Sequence, residues 1–423
     1  MKWKSVIPLL SISLLVSLSA ESRIWTTKDN RTAEGELITA TETEAIIQFK
    51  GQKTSRAIAL DTLSEKDQAF VTAFRDNGGA VDPNFDESEF DEKGETNEAS
   101  ERGNEPSLGE IPDNFDDEWP KLVKSPDNVQ VDFVSSDEEA KKYTYHSDHY
   151  EFICDVPLKP HLVERFAVMF EGTRELCRVM PISTKKAHLS GEDFRHRILL
   201  FESEATYFKN GGPPGSAGVF MSGRGGDVVM VPLTSLGVKK VGSSYSVDYG
   251  ESNNTLPHEL AHQLTDPCYY AHGARGWFSE GLAEYVAVTP YRSGNFMVSK
   301  TLRAAKDYAT EYGREDNGGR ALGDEIKAPD LKSYMLQSYG SFTARANFNY
   351  GLGLLITTYF FEMEGGGDRI AITAFLKALR EGKEGEEALE ALLNGRSFNE
   401  LASDISKGWK SKGVDIEFAM SSE

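Results

Sequence analysis

The pentapeptide His258-Glu259-Leu260-Ala261-His262 constrains this chain more than any other feature. Residues four apart on a helix share one face, so the imidazoles of His258 and His262 can reach the same zinc ion. Glu259 lies beside them, where a carboxylate can accept a proton from a zinc-activated water. Such a site takes a third protein ligand and leaves the fourth position to water. The motif therefore predicts a helix that carries two metal ligands and one general base.

A second segment, Trp277 to Tyr285, offers the third ligand. It reads Trp-Phe-Ser-Glu-Gly-Leu-Ala-Glu-Tyr, and its first glutamate, Glu280, follows His262 by 18 positions. This segment resembles the third-ligand helix of the gluzincin metallopeptidases. The resemblance implies that His258, His262 and Glu280 bind Zn²⁺ and that Glu259 is the catalytic base.

Two other zinc patterns fit the sequence less well. The metzincin pattern needs glycine at position 265 and histidine at 268, where this chain has Thr265 and Cys268. Asp266, one turn beyond His262, is an alternative third ligand of the kind found in aspartate-type zincins. Glu280 has the better sequence context.

Two further residues are candidates near the metal. A ligating histidine usually donates its second N–H to a carboxylate, so Glu284, one turn after Glu280, is predicted to orient a zinc-bound imidazole; a solvated helix position is the alternative. Tyr350 resembles the tyrosine of the aminopeptidase branch that donates to the oxyanion, although it would equally suit the start of a buried helix. Three other aromatic residues compete with it for a place in the cleft: Tyr334, Tyr339 and Phe348.

One departure from the family bears on substrate choice. No Gly-x-Met-Glu-Asn segment, which reads the amino terminus of the substrate in the aminopeptidase branch, precedes the predicted active helix. The sequence therefore favours an endopeptidase, or an exopeptidase with another reader. Over roughly residues 145–410 the chain looks closest to peptidase-MA-like proteins.

The first residues are typical of an export signal. Lys2 and Lys4 precede a largely apolar stretch, Val6 to Leu18, and small residues follow where a signal peptidase would cut. We expect a signal peptide over 1–20, cleaved at or within two residues of Ala20, and a secreted or periplasmic protein. The apolar run is too short for a membrane span, and no later segment approaches the required length.

Residues 21–76 form the next predicted domain. Short β-type runs alternate with turn residues, and Ser64 with Asp67 marks the start of a closing helix. The sequences Arg23-Ile24-Trp25-Thr26 and Leu63-Ser64-Glu65-Lys66-Asp67-Gln68 resemble the SH3-like homology domain of actin-assembly adaptors. The resemblance implies a small all-β barrel that either binds a peptide or wall component or serves only as a spacer.

An acidic segment over 77–128 separates this domain from the rest. Between Asp76 and Glu118 there are sixteen Asp and Glu residues against two basic ones, within a total net charge of -21. So few apolar residues cannot bury enough surface to offset the entropy of ordering, which predicts a disordered linker. An acidic chain without a basic stripe is also poorly suited to bind nucleic acid.

Residues 129–423 are predicted to form a zincin-like metallopeptidase domain, so the expected fold class is α+β. β-type runs at 143–145, 150–154, 196–201 and 227–231 precede the active helix, and helical patterns follow it. In zincins the strand nearest the cleft is an edge that can pair with an extended substrate. The run at 227–231 is the candidate for that edge.

The three cysteines do not make a disulfide framework. Cys154 and Cys177 are the best-placed pair, because the strand and the helix predicted to carry them should pack together. Cys268 is expected to be buried rather than to ligate zinc.

These features predict an exported zinc metallopeptidase that acts on a peptide or protein substrate. Two alternatives stay open: a binding or scaffold protein that keeps the zincin fold without turnover, and a zinc amidase that acts on cell-wall material. The intact Glu259 favours an enzyme, since a purely structural metal site has no use for a base.

Overall fold

The computed structural model describes most of the chain after residue 22, in these ranges: 23–27, 32–40, 44–49, 56–76, 108, 111–191, 194–213, 216–222, 226–242, 244–247, 255–311 and 319–421. The predicted signal peptide and most of the predicted linker lie outside these residues. The chain divides into two units, Met1–Asn97 and Glu98–Glu423.

The first unit is an antiparallel sheet with one helix. Its strands pair in sequence order, β1 (Arg23–Thr26), β2 (Thr32–Ala40), β3 (Glu44–Phe49) and β4 (Arg56–Ala59), and α1 (Glu65–Asp76) follows. The buried Asp67 side chain joins the helix to the first strand. It accepts hydrogen bonds from the Arg23 guanidinium at 2.7 Å, the Thr26 N–H at 2.6 Å and the Ser64 hydroxyl at 2.9 Å. The short polar residues that mark a helix start in the sequence therefore also fix its position on the sheet.

The second unit contains a six-stranded mixed sheet. Its strands are β6 (Asp132–Asp137), β7 (Lys142–His146), β8 (Tyr150–Cys154), β9 (His196–Phe201), β10 (Val219–Met221) and β11 (Val228–Pro232). They lie in the order β10-β11-β9-β8-β7-β6. β8, β9 and β11 are parallel to one another, and the other neighbours are antiparallel. Short additional pairs involve β5 (Val123–Lys124), β12 (Val238–Val241), β13 (Ser244–Val247), β14 (Tyr291–Arg292), β15 (Asn295–Phe296), β16 (Glu325–Ala328) and β17 (Asp415–Phe418).

The predicted strand at 227–231 exists, but the prediction that it forms the edge is wrong. β11 pairs with β9 on one side and with β10 on the other, so β10 is the edge. The chain reverses between Met221 and Val228, through the glycine-rich segment that the sequence suggested as a hairpin turn, and most of that turn lies outside the described residues. A strand of three residues is too short to show a readable alternation, which is why the sequence pattern missed it.

Helices make up most of the rest of the second unit, so the predicted α+β class is confirmed. They are α2 (Pro160–Val179), α3 (Glu204–Lys209), α4 (Thr255–Leu264), α5 (Trp277–Val288), α6 (Thr301–Thr310), α7 (Leu331–Leu336), α8 (Tyr339–Thr343), α9 (Ala346–Glu362), α10 (Ile370–Arg380), α11 (Gly385–Leu393) and α12 (Phe398–Lys410). Among the described helices, none combines the length and the apolar character that a bilayer span requires.

Helices α5 and α9 cross at the centre of this unit, and every residue of α5 is buried. Two glycines let the backbones approach closely. A Cβ atom on Gly281 would lie 2.3 Å from the Thr357 hydroxyl oxygen and 2.6 Å from the Gly353 carbonyl oxygen, and one on Gly353 would lie 2.9 Å from the Trp277 carbonyl oxygen. The crossing holds the first turns of α5 and α9 side by side, where the predicted site residues Glu280 and Tyr350 lie.

The predicted linker differs from the structure over residues 111–128. The Asn114 side chain accepts a hydrogen bond from the Ser183 N–H at 2.8 Å and donates one to the Met180 carbonyl at 3.0 Å. The Trp119 ring packs on Phe361 with centroids 5.0 Å apart. A few anchoring side chains are enough to pack this stretch, although its average composition is that of an unfolded chain.

The cysteines also depart from expectation. All three are free thiols, so the predicted bond between Cys154 and Cys177 is not formed. Burial raises the pKa of both thiols to about 12, which keeps them neutral and unreactive. Cys268 is only partly buried.

The α5–α9 crossing should be sensitive to a single methyl group. We expect Gly281→Ala to lower the free energy of unfolding by about 1–3 kcal/mol, because the new Cβ overpacks the crossing. Gly191→Ala is the matched control, since in the described part of the chain no atom apart from its own chain neighbours lies within 4 Å of a Cβ at that position. Thermal and urea unfolding of both variants measure the difference, and equal stability of the two would contradict this packing.

Candidate metal centre

Helix α4 turns one face to the core and the other to the predicted site. Leu256, Leu260 and Leu264, spaced four apart, are buried in the main hydrophobic cluster. His258 and His262 therefore lie together on another face of the helix. Their ring centroids are 4.7 Å apart.

Three ligand atoms converge between α4 and α5. The Nε2 atoms of His258 and His262 are 3.1 Å apart, and the Glu280 Oε2 atom lies 3.1 Å from His262 Nε2 and 3.3 Å from His258 Nε2. Ligand atoms of a tetrahedral zinc ion with bonds of about 2.0–2.1 Å are themselves about 3.3 Å apart. Calcium, with bonds of about 2.3–2.6 Å, needs a wider and more oxygen-rich arrangement. The size and the N, N, O chemistry of this triangle fit zinc.

The outer nitrogen of each imidazole has its own partner. His258 Nδ1 lies 3.2 Å from Glu284 Oε1. His262 Nδ1 lies 3.1 Å from the Tyr270 hydroxyl oxygen, and that hydroxyl donates to the His262 carbonyl, so it is left to accept from Nδ1. In the neutral form of each imidazole these partners place the proton on Nδ1, which leaves a lone pair on Nε2 that faces Glu280. Three lone-pair-bearing atoms this close repel one another unless a proton or a metal ion lies among them.

The pKa shifts of His258 and Glu280 also indicate that a positive charge is stabilised between them. Burial alone would lower the pKa of His258, but hydrogen bonds to Glu280 and Glu284 outweigh burial and raise it to about 10. Burial alone would raise the pKa of Glu280, but the two imidazoles hold it well below its ordinary range. A metal ion would supply permanently the positive charge that this cluster otherwise takes from a proton.

Glu259, the predicted base, lies where α4 meets the edge of the sheet. One of its carboxylate oxygens, Oε2, accepts a hydrogen bond from the Phe220 N–H of β10 at 2.8 Å. The Phe220 ring also lies nearly parallel to the His262 imidazole, with centroids 6.4 Å apart. Among the described strands β10 pairs only with β11, so its other edge borders the metal triangle formed by the three atoms of His258, His262 and Glu280.

Tyr350 and Tyr339 both belong to the site. The Tyr350 ring lies nearly parallel to the His258 imidazole, with centroids 5.9 Å apart and 17° between the planes. Tyr339 donates its hydroxyl to Glu280 Oε1 at 2.9 Å. Burial and the charge of Glu280 raise the pKa of Tyr350 far above its usual value, so its hydroxyl is a neutral donor.

The other two aromatic competitors do not reach the triangle. Tyr334 donates its hydroxyl to the Asn349 carbonyl at 2.7 Å. Phe348 lies beneath the Arg345 guanidinium, 4.6 Å from its ring centroid. Of the tyrosines weighed in the sequence, Tyr339 and Tyr350 are the pair that contact the metal triangle.

Arg320 is a site residue that sequence reasoning missed. Its guanidinium forms an ion pair with Glu284 and lies 4.9 Å from the Tyr350 ring centroid. It is 36 positions from Glu284 in a glycine-rich stretch with no motif, so no signal in the sequence could have placed it. Tyr270, eight residues after His262, was missed as well.

Asp266 is not part of the triangle. One oxygen accepts from the Lys186 N–H at 2.9 Å and the other pairs with Arg380 at 2.8 Å, so both are already in use. Among the residues that the structure describes, His258, His262 and Glu280 form the only group placed to hold a metal ion. This geometry favours Glu280 over Asp266 as the third ligand.

No family model, curated protein or solved structure matches this chain. The functional interpretation therefore rests on the site itself.

The contact between Glu284 and His258 should matter for metal affinity. We expect Glu284→Gln to weaken zinc binding by about 10–100-fold, because it removes the charge that holds the imidazole with Nε2 free. Competition with a chromogenic chelator measures the change. The control is Glu362→Gln, another largely buried glutamate, whose partner is the Tyr285 hydroxyl rather than a ligand. Equal affinity of both variants would rule out this role for Glu284.

Proposed function

We propose that this protein is a zinc-dependent metallopeptidase of the gluzincin type with a zincin-like catalytic domain. One observation carries the proposal: His258 Nε2, His262 Nε2 and Glu280 Oε2 face one another at distances that suit tetrahedral zinc. Glu259 adds a carboxylate at the rim of the same triangle. A scaffold protein that merely held a metal would not need that base.

Metal binding and proton transfer would be carried out by different residues of the site. His258, His262 and Glu280 would hold zinc, which when bound lowers the pKa of a water molecule and polarises a carbonyl group. The Phe220 N–H fixes Oε2 of Glu259. The other oxygen of Glu259 can then accept the proton of the attacking water and pass it to the leaving amine.

The edge of β10 offers a place for an extended substrate. The Phe220 N–H points away from β11 and toward Glu259, so this edge of the sheet faces the base. A peptide laid along this edge would present its carbonyl groups to the metal triangle. Because Glu259 holds the Phe220 N–H, the peptide would pair with the other outward backbone groups of the edge. This favours a peptide or protein as the substrate.

We further propose that the enzyme is exported and carries an accessory domain. We propose the unit of β1 to β4 with α1 as the SH3-like module that its sequence resembles, which binds a peptide or wall component or acts as a spacer. The predicted signal peptide would place the protein in the periplasm or outside the cell. The short antiparallel strands and the buried Trp25 support the proposal of an SH3-like module.

Removal of the base should abolish turnover but not metal binding. We expect Glu259→Gln to retain about one zinc per chain and to lose at least about 100-fold in kcat on a mixed peptide library, because the water then has no proton acceptor. Metal analysis and mass spectrometry of the cleaved library measure both quantities. Zinc without cleavage by either protein would move the proposal to a non-peptide amide or to a binding role, and undiminished cleavage by Glu259→Gln would refute it.

Tyr350 and Tyr339 should have separable effects. We expect Tyr350→Phe to lower kcat by about 100-fold, since it removes a neutral donor for the developing oxyanion, with zinc affinity unchanged. Tyr339→Phe removes the hydrogen bond to Glu280 and should weaken zinc binding instead. Steady-state kinetics and chelator competition on both variants separate the roles, and loss of zinc from Tyr350→Phe would show that its role is structural.

A further inference from the structure

Arg275 lies at the rim of the metal centre, in the loop between α4 and α5. Its guanidinium carbon is 4.8 Å from the ring centroid of Tyr339, the residue that donates to Glu280. The charge of Arg275 also acts on Tyr270, whose hydroxyl contacts His262. The guanidinium therefore lies against the ring of a tyrosine that contacts a candidate metal ligand.

Other cations around the site have a carboxylate partner. Arg320 pairs with Glu284, Arg380 with Asp266, and Lys186 with Asp227. Arg275 is exposed and, within the described part of the chain, forms no ion pair. The whole chain has a net charge of -21. Beside the centre, however, a guanidinium without an ion-pair partner attracts an anionic group.

The backbone at Arg275 is held in place. Its N–H donates to the Ala271 carbonyl at 2.9 Å, and the next residue, Gly276, donates its N–H to the Ser279 hydroxyl at 3.0 Å. Gly276 has a φ of 95°, and a Cβ there would lie 2.9 Å from the Phe342 ring. The arginine is thus presented from a fixed point, which lowers the entropy cost of binding a partner.

We propose that Arg275 binds a carboxylate of the substrate, and that the site prefers peptides with a carboxyl group within about three residues of the scissile bond. This rests on the proposed peptidase function. Guanidinium and carboxylate form paired, charge-assisted hydrogen bonds. The path across the Tyr339 ring to Glu280 is on the order of 10 Å, which an extended chain covers in about three residues. The carboxylate is either the free C-terminus or an Asp or Glu side chain.

Matched peptides identify the source of the carboxylate. One pair shares a sequence and differs in a free or amidated C-terminus, and a second pair, amidated throughout, differs in Glu or Gln near the cleaved bond. We expect kcat/KM to favour the carboxylate peptide by about 10-fold or more in at least one pair. The ratio should fall toward one in Arg275→Gln. Arg303→Gln, which removes the same charge from a side chain that is 89% exposed, should keep the wild-type ratio.

A binding measurement covers the case in which no peptide is cleaved. Calorimetry of the same pairs with Glu259→Gln, and with Glu259→Gln combined with Arg275→Gln, reports the affinity difference without turnover. A preference that survives Arg275→Gln, or equal affinity within both pairs, overturns the proposal. Failure of the peptidase function would look different: the carboxylate preference would persist in binding while no peptide is hydrolysed.

Discussion

The structure of the second unit depends on the convergence of three lone-pair-bearing atoms in a buried space. His258 Nε2, His262 Nε2 and Glu280 Oε2 approach to 3.1–3.3 Å, so a proton or a metal ion is needed among them. The surrounding contacts keep these three atoms close together and do not let them move apart. Glu284 and Tyr270 take the outer nitrogens, and the glycine crossing of α5 with α9 leaves no room for α5 to withdraw.

Apart from the exposed Arg275, the charges around this point would balance if a dication were added. Glu259, Glu280 and Glu284 bring three negative charges and Arg320 brings one positive charge, and the two histidines would be neutral with the metal bound. A zinc ion would supply the remaining two positive charges. Buried charges that are paired and hydrogen-bonded are tolerated, whereas an uncompensated one is costly. Arg320 therefore completes the centre although it contacts none of the ligand atoms.

The sequence predicted those parts of the site that depend on local geometry. The four-residue spacing of the histidines and the one-turn spacing of Glu280 and Glu284 fix positions on a helix face, and these residues do lie on helices α4 and α5. Residues brought in from distant segments had no such signal. Tyr339, which contacts Glu280, lies on a five-residue helix, and Arg320, which contacts Glu284, lies in a glycine-rich loop. The same limit explains the misplaced sheet edge, because β10 is too short to show a period and its position depends on pairing with β11.

The central claim is that one zinc ion lies among these three atoms. X-ray absorption at the zinc edge of the zinc-loaded protein tests it most directly, because the method reports the kind and distance of the ligand atoms. The account predicts one zinc per chain, two imidazole nitrogens and at least one carboxylate oxygen, with bonds of about 2.0–2.1 Å. A sulfur ligand at about 2.3 Å, which would implicate Cys268, or the absence of bound zinc, would contradict it.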